Sequence, residues 1–352
     1  MGVARVTGGG RVLGERELNR ALLARQHLLR RTRAPLARVL QQVGGLQAQY
    51  APSPYVALWS RTEDFPRATL TRALERRSVV QGTLMRSTLH LVSARDYWPL
   101  AVAVRAVRRD WYLRTARTAA DAAAYERAAE RVRAALAERG TLRRSDLDAL
   151  VGRDLRGGLG LWLDLVRVPP SGTWERRRAD LYADAETWLG PPAIGVDEAR
   201  EVLVRRYLRA FGPATALDVV SWSGLPAGTV AAVLARLTLR RFRAEDGTVL
   251  LDLPRSPLPG ADVPAPVRFL PTWDATLLAH ARRSGVLPPE YRSRVFATTM
   301  PQSVPTFLVD GVVAGIWRYE DGRVRTEEFA PLRVADRRAV LAEADRLAHW
   351  FG

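Results

Sequence analysis

Asp218-Val219-Val220-Ser221-Trp222-Ser223-Gly224-Leu225-Pro226, continuing as an apolar-periodic segment to Leu237, is the stretch whose reading decides the fold. Apolar residues recur at helical spacing on both sides of Gly224, and glycine readily takes the left-handed conformation that ends one helix and redirects the chain into the next. This is a helix-turn-helix pattern. Arg240 to Leu253 follows as two β-prone runs around Asp246-Gly247, a dipeptide suited to a tight hairpin turn. Asp197 to Ala210 supplies a helix before it. Helices followed by a hairpin is the order of a winged helix, in which the hairpin is the wing.

The same order recurs outward from this segment. In the first third, Glu17 to Leu29 and Pro35 to Val43 carry helical spacing, Pro52 and Pro54 mark a break, and Tyr55 to Arg61 and Leu70 to Arg76 continue as short helices. Val79 to Leu91 is then β-rich and partly alternating. In the middle third, Tyr125 to Arg139 is an amphipathic helix stopped by Gly140, and Ser145-Asp146 offers the N-cap of a second. Leu161 to Val168 and a turn-rich segment Pro169 to Trp174 lead to Arg176-Arg177-Arg178. Beyond a Pro-rich linker, Pro254 to Pro266, successive turns at Asp310-Gly311 and Asp321-Gly322 separate apolar runs, and Asp336 to Trp350 closes the chain as a helix. The pattern predicts an α+β chain, mainly α, of three tandem winged-helix units and a small C-terminal β-barrel. The expected units are 15–115, 120–192, 193–254 and 266–352.

Composition narrows the function. Hydrophobic residues make up 47% of the 352, so a buried core is expected and wholesale disorder is not. Net charge is +17 and all 54 basic residues are arginine. A GC-rich genome accounts for arginine in place of lysine, but not for the excess over Asp and Glu. That excess calls for a polyanionic partner, and for a soluble protein nucleic acid is the commonest. No apolar run approaches the ~20 residues needed to cross a bilayer, and Met1 to Gly14 lacks the apolar stretch of a secretory signal. A cytoplasmic, nucleoid-associated monomer with no membrane contact is expected. Without cysteine there is no disulfide, thiolate nucleophile or zinc finger; His27, His90, His280 and His349 are scattered, so neither a metal nor another cofactor is expected. A lysine-bearing phosphate loop is impossible, and there is no Gly-x-Ser-x-Gly elbow.

Four segments in order carry a resemblance. They are Gly45-Leu46-Gln47-Ala48-Gln49 continuing through Pro54 to Leu58-Trp59-Ser60-Arg61; Arg86-Ser87-Thr88-Leu89-His90-Leu91; Phe211-Gly212-Pro213-Ala214-Thr215 with Asp218 and Trp222; and Leu270-Pro271-Thr272-Trp273-Asp274 with Arg282-Arg283 and Asp310-Gly311 through Ile316-Trp317. As a set they resemble the AlkZ-type winged-helix DNA glycosylases. The resemblance implies three winged helices around a concave face for double-stranded DNA, and a role for the two glutamines, Gln47 and Gln49, in excising alkylated bases. Some relatives carry Asp where this chain has Gln49, and those form a different, broader-acting group. Keeping Gln49 points to the narrow group that protects antibiotic producers from their own DNA-alkylating product.

The chemistry permits two amides to suffice. Glycosidic bonds are usually cut by a carboxylic acid and a carboxylate. An N7-alkylguanine already carries a positive charge, so it departs without being protonated. What remains is to orient a water, and an amide both accepts and donates hydrogen bonds. Gln47 and Gln49 lie two apart, so they share a face only if the chain there is extended or turning. On residue type alone, His90 reads either as a satisfied strand-end histidine or as a contact to phosphate or sugar. Asp274 reads either as an electrostatic partner of the cationic sugar or as a helix cap. Arg61, Arg86, Arg176, Arg177, Arg178, Arg240, Arg241 and Arg243 are candidate phosphate contacts. The expected function is a monofunctional DNA glycosylase acting on bulky N7-alkylguanine adducts, interstrand crosslinks among them. The rival is a winged-helix transcription regulator without chemistry.

Overall fold

The computed structural model describes residues 6–7, 10–116, 120–280, 285–296 and 303–352. Arg282 and Arg283 lie outside the described residues. The chain mixes α and β, with about half of it helical.

The deciding segment folds from its local signals. Thr215 caps the helix Ala216–Ser223 reciprocally with Asp218: Asp218 N–H donates to Thr215 Oγ1 at 3.0 Å and Thr215 N–H to Asp218 Oδ2 at 2.8 Å. Gly224, at φ +76°, ends that helix in the left-handed conformation, and Ala227–Arg236 follows. Trp222 is buried against Tyr207 and Phe211 of the preceding helix, Val196–Phe211, at ring-centroid distances of 5.3 and 5.8 Å. Leu239–Ala244 and Val249–Asp252 then pair antiparallel. Two N-terminal strands, Val6–Thr7 and Val12–Leu13, add parallel to the first of these.

A second sheet organises the front of the molecule. Its six strands run in the order Leu46–Gln47, Leu89–Ser93, Val79–Thr83, Leu165–Arg167, Leu181–Asp184, Leu142–Arg143. Strands of the first and second expected units therefore hydrogen-bond into one sheet. Alternation sends Val80 and Val92 into one core, with Tyr97 and Val104 of the helix Ala94–Thr115, and Leu46, Val79, Leu89 and Leu91 into another. Gly82 permits the first of these packings, because a Cβ there would lie 2.5 Å from the Tyr97 ring. In the middle third the second helix starts earlier than its sequence suggests. It runs Arg144–Leu159 with Arg143 at the N-cap, and Asp146, at its third position, takes the carboxylate's part in a capping box by accepting from Arg143 N–H at 2.7 Å.

Among the described residues the C-terminal strands do not close on themselves. Arg268–Leu270, Thr306–Val309, Val312–Glu320 and Arg323–Glu328 form an open antiparallel sheet in chain order, in place of the expected barrel. Closure is unnecessary because other elements cover the apolar face. Val340, Ala344 and Leu347 of the helix Val334–Phe351 pack with Phe269, Phe307 and Trp317 in a core shared with Tyr55 and Leu58 of the helix Pro52–Arg61.

Candidate active site

The two glutamines are delivered by a short strand on a double-glycine turn. Gly44 and Gly45, at φ +79° and +80°, turn the helix Leu36–Val43 into Leu46–Gln47, and a Cβ on Gly45 would lie 2.8 Å from Val92 Cγ1. Register then sets the neighbours. Gln47 stands directly opposite His90, whose other neighbour is Gly82. Paired residues share a face, so Gln47 and His90 lie on the Val80–Val92 side of the sheet. Ala48 N–H donates to Leu89 O at 2.9 Å, carrying the pairing one residue past the strand, just before Gln49 and Tyr50. The chain turns just beyond the strand and the amides meet: Gln47 Nε2 donates to Gln49 Oε1. Gln47 is 8% exposed whereas Gln49 is open to solvent, so the pair runs from beneath the surface to the surface. Gln47 Oε1 and Gln49 Nε2 remain an acceptor and a donor for a third partner.

His90 is buried, and its Nδ1–H donates to Thr88 O at 2.9 Å, which makes Nε2 the acceptor nitrogen. Burial above all, helped by the charges of Arg86 and Arg108, lowers its pKa to about 3 against the pull of the Thr88 bond. The imidazole is neutral at pH 7 and supplies no cation for phosphate. Of the two readings open for it, the structure gives the satisfied strand residue, standing next to a glutamine.

The turn beside the pair is strained and held. Thr88 N–H donates to Met85 O at 3.1 Å, and both central residues are left-handed, Arg86 at φ +51° and Ser87 at +56°. Such two-residue hairpin turns favour Asn-Gly, and a side chain in that region costs of order 1–3 kcal/mol. Two arginines offset this. Arg108, from the helix Ala94–Thr115, donates to Thr83 O at 2.8 Å and Ser87 Oγ at 3.3 Å; Arg86 donates to Trp222 O at 2.8 Å, near the C-terminal end of Ala216–Ser223. Charged hydrogen bonds contribute about 1.5–3 kcal/mol each, enough to balance the strain. Burial lowers the Arg108 pKa to about 10, which still leaves it cationic at pH 7. Sequence reasoning missed Arg108: it is one of several arginines on its helix, and nothing local marks it. Arg86 is half-buried and engaged with Trp222, rather than standing free on the surface.

Arg61 is not a phosphate contact. Its side chain and that of Asp274 are both fully buried and paired bidentately, at 2.9 Å to Oδ2 and 2.8 Å to Oδ1. Asp274 Oδ1 also accepts from Thr276 N–H at 3.0 Å, so Asp274 takes the cap role rather than that of a partner to the sugar. Arg240 is likewise held within the protein, 2.7 Å from Asp252 Oδ2, which Arg25 also grips. Arg176, Arg177, Arg178, Arg241 and Arg243 are exposed, as phosphate contacts must be. The Arg176–Arg178 segment is pinned in place. Buried Ser171 accepts from Asp180 N–H and donates to Arg178 O, and Trp174 packs on Tyr55 at 5.6 Å. Two large cavities, of about 1030 and 470 Å³, lie elsewhere: neither is lined by Gln47 or Gln49. The glutamines sit at an open sheet end.

The family model described as "DNA glycosylase AlkZ-like" matches residues 40–350. The solved structure of Streptomyces sahachiroi DNA glycosylase AlkZ is similar with a TM-score of 0.81, covering 96% of this chain and 97% of that one at 21% sequence identity. A search of curated protein sequences finds no match. The family match spans the glutamine strand, the held turn, the helix-turn-helix and the C-terminal sheet, and the chain belongs to the AlkZ-like DNA glycosylase family.

Proposed function

We propose that the chain hydrolyses the N-glycosidic bond of bulky N7-alkylguanine adducts in duplex DNA, interstrand crosslinks among them, with Gln47 and Gln49 orienting the attacking water. The observation that carries this is the hydrogen-bonded glutamine pair, which keeps one acceptor and one donor available where the sheet opens to solvent. The C1′–N9 bond breaks with its electron pair going to the cationic base, which leaves neutral. Water attacks C1′ and its proton passes to solvent. No general acid is needed, in keeping with a neutral His90 beside the pair. Orientation of this kind is worth several kcal/mol of barrier.

The reading is monofunctional. Without lysine the chain has no side-chain amine for a Schiff base at the abasic sugar. We take the helix and hairpin sets as winged helices around the duplex, with Arg176, Arg177, Arg178, Arg241 and Arg243 on phosphates. An open site away from the cavities suits a bulky adduct that resists full extrusion from the stack. Self-protection of a producer of DNA-alkylating compounds is the role we assign. The test is incubation with duplexes carrying one defined N7-guanine adduct, followed by heat or alkali. Abasic sites should form, the backbone should stay intact before heating, and borohydride should trap no protein–DNA adduct. Intact adducts after incubation, or a trapped covalent complex, would overturn the reading.

A further inference from the structure

We propose that Tyr50 stacks on the alkylated base and gives this site its preference for a cationic purine; the inference rests on the glycosylase reading above. Tyr50 immediately follows Gln49 and is 49% exposed. Among the described residues its ring meets no other aromatic ring and its hydroxyl has no hydrogen-bond partner. Among the described residues few aromatics are exposed to this degree. Trp222 packs on Tyr207 and Phe211, Trp174 on Tyr55, and Tyr319, itself partly exposed, stacks on Phe351 at 4.2 Å. Trp111 is also half-exposed, but it belongs to the helix Ala94–Thr115 rather than to the glutamine segment.

The backbone under Tyr50 is fixed. Its carbonyl accepts from Ser53 N–H at 2.9 Å, and Pro52 and Pro54 stiffen the start of the helix that follows. A two-χ aromatic on a fixed backbone loses little freedom on stacking. The face of a phenol ring is electron-rich, so it attracts an N7-alkylguanine more strongly than a neutral guanine. The attraction fades as the base leaves neutral. Tyr50 therefore strengthens binding of the damaged base without lowering the barrier, and then lets the product go.

The test compares Tyr50→Leu and Tyr50→Phe with the parent protein. One readout is the ratio of affinities for unmodified duplex and for duplex with one N7-methylguanine whose sugar is 2′-fluorinated to block release. The other is KM and kcat on the cleavable duplex. Leucine should reduce the preference for the damaged duplex by about 3- to 30-fold and raise KM, leaving kcat the same or higher, while phenylalanine stays within about threefold of the parent. The proposal fails if Tyr50→Leu keeps the parent's preference, or if the parent has none. A parent that prefers the damaged duplex through Tyr50 yet releases no base would uphold Tyr50 and overturn the hydrolytic reading instead.

Discussion

Asp274→Asn separates a structural carboxylate from a catalytic one. Asp274 and Arg61 have no exposed side-chain surface and meet through two hydrogen bonds of 2.8 and 2.9 Å. The substitution leaves the Arg61 guanidinium buried with only neutral acceptors: Ala57 O at 3.1 Å, Thr276 Oγ1 at 3.1 Å and Gln26 Oε1 at 3.3 Å. Breaking such a pair from one side costs about 3–5 kcal/mol. An asparagine still accepts from Thr276 N–H and from one arginine N–H, so the low end, about 3 kcal/mol, is expected. If the chain unfolds as one unit, its unfolding entropy is roughly 0.7 kcal/mol per kelvin at 352 residues. The melting temperature should then fall by about 4 °C, read by calorimetry. Base release per folded molecule should change less than about twofold, because the carboxylate is already neutralised by Arg61. Replacing both partners, Arg61→Met with Asp274→Leu, should recover most of the lost stability, since no buried charge remains. An unchanged melting temperature with base release lost would refute this reasoning and return Asp274 to the sugar.

Two further outcomes follow. Affinity for undamaged duplex should fall steeply between 50 and 200 mM salt, with a slope near −0.9 per phosphate neutralised; a flat response would remove the exposed arginines from the interface. His90 holds its proton only below about pH 3 when folded, against about 6.5 when unfolded, so the unfolded chain binds more protons between those values and stability falls as pH drops through them. The slope from this group is at most about 1.4 kcal/mol per pH unit and vanishes above pH 6.5. Denaturant melts of His90→Gln should lack it, and a parent-like slope in that variant would show that other groups dominate.

What was legible in the sequence was mostly local. Gly224, Thr215 and Asp218 act within a few residues, so the helix-turn-helix could be read from spacing alone. The Gln47 and Gln49 amides meet because a short strand delivers the first and the chain turns just beyond it, ahead of the helix that Pro52 opens, which is again a short-range condition. Closure of the C-terminal sheet was not legible. The turns at Asp310-Gly311 and Asp321-Gly322 mark hairpins, but whether the first and last strands meet depends on the helix Val334–Phe351 and on a core shared with residues about 280 positions earlier. The fates of the arginines were hidden for the same reason. Arg61 meets a carboxylate 213 residues away and Arg25 one 227 away, and nothing in their neighbours distinguishes them from surface arginines such as Arg177. Arg108 gains its role only because the fold brings its helix against the turn that precedes His90.

The central claim is that Gln47 and Gln49 together hold the water, and single-turnover base release by Gln47→Ala, Gln49→Ala and the double variant tests it most directly. Each single variant should slow release from an N7-alkylguanine duplex by about ten- to several-hundred-fold. The double variant should be little slower than the poorer single, because two groups orienting one water act as a unit. DNA affinity and melting temperature should move little. Near-parental release by both alanine variants, on a substrate that the parent cleaves, would contradict the account.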